Sequence, residues 1–109
     1  MAIIIHIYYS GIGESARRFA EEMETSGVAD RIRAEGGNLR YEYYLPTKDP
    51  ETVLLIDAWR DQAALDAHHA SPMMAEIAVL REKYDLHMKV ERLTVSDDDP
   101  DHDRAFIRS

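Results

Sequence analysis

Cysteine is absent from the 109 residues, which excludes disulfides and thiolate metal centres and fits a reducing compartment. No apolar run approaches the ~20 residues of a membrane-crossing helix. The N-terminus has no basic stretch or cleavage site of a secretory signal, since His6 soon interrupts the run begun by Ile3-Ile4-Ile5. Positive charge is scarce: 13 Lys and Arg stand against 21 Asp and Glu, for a net charge of −8. That balance argues against nucleic acid or an anionic membrane surface as a partner. The expectation from these absences is a soluble cytoplasmic protein.

Several chemistries are missing as well. Gly11-Ile12-Gly13-Glu14 lacks the rest of any dinucleotide or phosphate-loop pattern, and there is neither a GxSxG turn nor an HExxH helix. No spacing yields three metal ligands. The acidic residues 96–103 do not follow the calcium-loop pattern. What remains is chemistry without a metal or cofactor, or no chemistry.

What is present is ordinary globular composition in one small domain: 45% hydrophobic and 31% charged residues suffice for a core without extra staples. Residues 2–9 read as a first strand, with Ile3, Ile5, Ile7 and Tyr9 on one face and Ile4, His6 and Tyr8 on the other. Neither face is polar, so both need covering. Ser15 is expected to cap a helix through Met23, and residues 28–35 to form another, ended by Gly36-Gly37. Residues 38–45 form a second strand with Leu39, Tyr41, Tyr43 and Leu45 in alternation. Pro46 to Pro50 make a turn.

Residues 53–59 are apolar except for Asp57 and read as a covered strand. Period two puts Asp57 and Trp59 on one face, ~7 Å apart at ~3.3 Å per residue. A buried carboxylate needs a partner or a raised pKa, and His68 or an arginine is the expected partner. Asp61 caps the next helix. Ser71-Pro72 starts another, in which Met73, Ile77, Leu80 and Tyr84 form a core-facing stripe. The junction of these helices leaves a gap lined by Asp57, Trp59, His68, Met73 and Ile77. His68 and His69 diverge by ~100° on a helix; His68 is assigned inward and His69 to the surface. Residues 86–95 alternate cleanly, as an edge strand does. The order is β-α-β-β-α-β, an α+β ferredoxin-like unit with a four-stranded antiparallel sheet. Residues 1–95 form the domain and 96–109 an acidic tail, with Phe106 and Ile107 available to dock on a partner subunit.

The run Ile56-Asp57-Ala58-Trp59-Arg60-Asp61, the helix Ala63-Ala64-Leu65-Asp66-Ala67-His68 and Ser71-Pro72-Met73 together resemble the signature of the antibiotic biosynthesis monooxygenase family. Residues 39–44, Leu-Arg-Tyr-Glu-Tyr-Tyr, look like its second strand. The resemblance covers roughly residues 2–95. It implies a homodimer whose paired sheets form a dimeric α+β barrel. It also implies a cofactor-free monooxygenase acting on a quinol or polyphenol with dioxygen. Such an enzyme needs a base, a dry pocket and donors for an oxyanion. On this reading His68 is the base and Asp57 its orienting carboxylate. Trp59 and Tyr43 form the aromatic wall, His6 is a donor, and Met73 and Ile77 complete the lining. The alternative is a non-catalytic or isomerase-like metabolite binder. Haem degradation is disfavoured: His6-Ile7, His68 and Ala78 stand where the resembling haem-degrading relatives carry Asn, Trp and the iron-binding His.

Overall fold

The structure, a computed structural model, describes residues 1–95 and 100–108. Its elements run β1 (Ile3–Ser10), α1 (Ser15–Thr25), α2 (Val28–Arg33), β2 (Asn38–Tyr44), β3 (Thr52–Trp59), α3 (Gln62–His69), α4 (Met73–Lys83), β4 (His87–Thr94) and a short 3-10 helix, Pro100–Phe106. The sheet order is β2-β3-β1-β4, antiparallel throughout. This is the expected α+β ferredoxin-like arrangement, with β4 at an edge. Residues 96–99 of the expected acidic tail lie outside the described residues. Phe106 and Ile107 are exposed within the single chain. Among the described residues, no helix is long and apolar enough to cross a membrane.

The period-two pattern explains the layers. Ile3, Ile5, Ile7 and Tyr9 of β1 and Val53, Leu55, Asp57 and Trp59 of β3 share the helix-covered face and are buried. Phe19, Met23, Val28, Ile32, Ile77 and Leu80 reach down on them from the helices. At ~1.5–3 kcal/mol per large apolar side chain, this face supplies most of the stability. The opposite face carries Ile4, His6, Tyr8, Leu54 and Ile56, which remain half-buried with no helix over them.

Four local readings change in detail. Ser15 is the first residue of α1 and Glu14 its cap, without a side-chain cap bond. Pro72, not Ser71, is the cap position of α4, and the Ser71 hydroxyl is buried without a partner. Leu39 falls at a register shift between Asn38 and Arg40, which turns it out of the expected alternation to 58% exposure. Leu45 lies past the end of β2 and is also exposed. Gly37 is required where α3 meets the sheet. It has φ 86°, and a Cβ there would lie 2.5 Å from the Cβ of Ala64.

Candidate functional site

The helices cover β2, β3 and β1 but leave β4 bare, so a hollow opens where α3 and α4 overhang the β1–β4 edge. It is a cavity of about 340 Å³, walled by Ile5 and Ile7 of β1, Leu65 and His69 of α3, Met74 and Arg81 of α4, and Met88, Val90 and Arg92 of β4. Asp57 lies at its floor. The spacings follow from helix geometry. Leu65 and His69 are four apart and Met74 and Arg81 seven apart, so each pair lies on one side of its helix. Asp61 starts α3 as expected, accepting a hydrogen bond from the Ala64 N–H at 2.9 Å.

Asp57 occupies the centre of a row across the sheet: Arg92 on β4, Ile5 on β1, Asp57 on β3 and Tyr41 on β2. Its side chain is 5% exposed, and Oδ1 is buried without a hydrogen-bond partner. Burial raises its pKa to about 7, and the negative charge of Glu35 adds to the rise. The Trp59 indole N–H opposes it from nearby, yet Nε1 also lacks a partner in hydrogen-bond geometry. A carboxyl with this environment exchanges a proton near neutrality.

Neither of the expected partners answers Asp57. His68 is 4% exposed, and its Nδ1 lies 2.7 Å from Glu35 Oε2. Its ring stacks on Trp59 at 4.7 Å between centroids. Burial lowers the His68 pKa, and the Glu35 carboxylate opposes that shift. His68 therefore ties α3 to the turn before β2. Trp59 is fully buried, Ile77 is 1% exposed, and Met73 packs on the core beside it. Tyr43 packs on Phe19 and Tyr41, at 6.2 and 5.7 Å. His6 is on the uncovered face, 3.9 Å from Glu91. Of the residues expected to line the gap, only Asp57 does so; His69, expected at the surface, stands at the rim.

The two arginines of the cavity, Arg81 and Arg92, were not singled out by the sequence. Arg81 Nη2 donates to the Tyr9 hydroxyl at 3.2 Å, and its Nε is buried without a partner. Burial raises the pKa of Tyr9, whereas Arg81 pulls it down. Arg92 donates to Gln62 Oε1. A signal for Arg92 was available: it shares the strand parity of Met88 and Val90, an arginine on an apolar stripe. Arg81 gave no such signal, because a basic residue in the last turn of a helix is ordinary. Among the described residues, no group of three His, Asp or Glu side chains converges to hold a metal.

The His68–Glu35 contact has a testable weight. Glu35→Ala is expected to cost about 1.5–3 kcal/mol, the range of a hydrogen bond to a charged group. Urea unfolding at neutral pH measures this, and an unchanged midpoint would show the contact to be idle.

The sequence profile of antibiotic biosynthesis monooxygenases matches residues 2–79. No curated protein matches significantly. Among solved structures, a candidate antibiotic biosynthesis monooxygenase from Deinococcus radiodurans is similar with TM-score 0.75 and 20% identity, over 88% of this chain and 94% of that one. SnoaB, a cofactor-independent oxygenase from Streptomyces nogalater, gives TM-score 0.73 and 13% identity over 91% and 97%. A protein from Pseudomonas aeruginosa is 25% identical, with TM-score 0.67, over 87% and 93%.

Proposed function

The chain belongs to the antibiotic biosynthesis monooxygenase family, and from that premise we propose that it oxidises a quinol or polyphenolic aromatic with dioxygen, without a cofactor, in the cavity above Asp57. The observation that carries this reading is the buried carboxyl of Asp57, whose Oδ1 has no hydrogen-bond partner and whose pKa is raised to about 7, at the floor of a largely apolar cavity. The volume sits at the small end of the ~300–1,000 Å³ range of ligand pockets, which suits an aromatic of one or two rings.

Chemistry of this kind begins with a proton. A phenol with a pKa of ~10 is a poor electron donor until ionised. Asp57 takes the phenolic proton, and the apolar surroundings favour transfer over solvation. Arg81, on the α4 side, stabilises the negative oxygen. The electron-rich ring then reduces dioxygen. One oxygen atom enters the ring in place of hydrogen and the other leaves as water, with the four electrons supplied by the quinol. Hydroquinone and dioxygen thus give hydroxyquinone and water. His68 has a positioning role on this reading, holding α3 and with it Leu65 and His69 over the substrate.

Oxygen uptake by the purified protein over a quinol panel tests this. One dioxygen consumed per quinol, with kcat/KM rising through an apparent pKa of about 7 as Asp57 loses its proton, is the expected result. Uptake no faster than in buffer for every quinol would overturn it.

We place the protein in the cytoplasm as a homodimer that covers the bare sheet face. The half-buried apolar residues Ile4, Tyr8, Leu54 and Ile56 there are what supports a second copy. Sedimentation equilibrium is expected to give twice the chain mass at micromolar concentration. Ile56→Glu is expected to give a folded monomer. A wild-type monomer would refute the pairing.

A further inference from the structure

We propose that the substrate of this cavity is an aromatic acid, drawn in by two cations, with Arg92 on its carboxylate and Arg81 on the side of its phenolic oxygen. The inference deepens the oxidation reading, since it rests on the same cavity. Its observations are separate: they concern charge, not the proton at Asp57.

Several arginines elsewhere among the described residues are matched with acids. Arg18 pairs with Glu14, Arg31 with Glu76, Arg33 with Glu24, Arg40 with Glu42, and Arg60 with Asp61. The two that line the cavity are not. Among the described residues, no carboxylate forms an ion pair with Arg81 or Arg92. Arg81 finds only the neutral Tyr9 hydroxyl, and its Nε has no acceptor. Arg92 finds the amide oxygen of Gln62, whose own Nε2 donates to Asp66 at 2.8 Å. The amide thus stands between Arg92 and the nearest acid of α3. In a chain of net charge −8, two unmatched cations inside one largely apolar hollow are a built preference for an anion.

The form of the anion follows from the donors. A guanidinium offers a planar fork that suits a carboxylate. The cavity contributes apolar walls and few other donors, which is too little for a phosphate dianion. Geometry sets the separation as well. Arg92 and Asp57 flank Ile5 in one cross-strand row, so their Cα atoms are two strand spacings apart, about 10 Å. A ring lying over Ile5 can present its hydroxyl to Asp57 and its carboxylate to Arg92. Pairing with Arg92 also cancels the substrate's charge, so that the substrate carboxylate does not hold the proton on Asp57.

Calorimetric titration of the whole protein with 2-naphthoate and 2-naphthamide tests this. Neither compound carries a hydroxyl to oxidise, so binding is read apart from turnover. The acid is expected to bind at least about tenfold more tightly than the amide, the scale of one charge-assisted hydrogen bond. Arg92→Met, on the exposed edge strand, is expected to remove that preference by weakening the acid far more than the amide. Equal affinities, no binding of either compound, or a preference that survives both Arg92→Met and Arg81→Met would overturn the proposal. Acid preference without oxygen uptake from any quinol would sink the oxidation and keep this inference. Uptake from neutral and acidic quinols alike, with equal binding of acid and amide, would do the reverse.

Discussion

Asp57→Asn is expected to lower quinol turnover by about 10²–10⁴-fold, the usual contribution of a general base, while making the protein more stable. The two effects share one cause. In the unfolded chain the carboxyl titrates near 3.9; in the folded chain burial holds it at about 7. The folded state therefore keeps a proton that the unfolded state releases. Stability falls as pH rises from about 4 to 7 and stays reduced above that. Three pH units at 1.36 kcal/mol each set a ceiling of about 4 kcal/mol, and relaxation around the charge brings the expected gain to about 2–4. Asparagine fills the same space without the charge. Urea unfolding at pH 5 and pH 8 measures this: the variant gains more over wild type at pH 8 than at pH 5. A variant that keeps wild-type turnover is not missing its base, and one destabilised at pH 8 would mean that the carboxylate has a partner.

Trp59→Ala is expected to cost about 3–5 kcal/mol, as truncation of a fully buried aromatic does. Against a total of ~5–15 kcal/mol, that is enough to unfold a large fraction of the protein on mild warming. Trp59 is 0% exposed and closes the end of the core where β3 gives way to α3. His68 stacks on it at 4.7 Å, so the substitution removes the surface that α3 rests on and spoils the His68–Glu35 contact. Thermal and urea unfolding measure the loss. A cost below about 1 kcal/mol would place the indole at a wet surface instead of in the core.

Much of the fold was legible because it rests on short-range patterns. The alternation in residues 3–9 and 53–59 set the covered faces, Asp61 marked the start of α3, and the apolar stripe from Met73 to Tyr84 gave α4 its inner side. The bulge at Leu39 was not legible, since an extra residue in one strand leaves no trace in local composition. At the site the pattern gave Asp57, because a carboxylate in an apolar strand stands out. It did not give the partners. Glu35 lies 33 residues from His68 in sequence, and that pairing depends on how α2 docks beside β2. The cavity itself comes from the helices leaving β4 uncovered, a matter of layer offset. Hence Met74 lines it where Met73 was expected, and His69 where His68 was.

The most direct measurement is a carbon-13 NMR titration of the Asp57 carboxyl, assigned by its loss in Asp57→Asn. A midpoint near 7 is expected. A midpoint near 4, the value of a solvated aspartate, would contradict it.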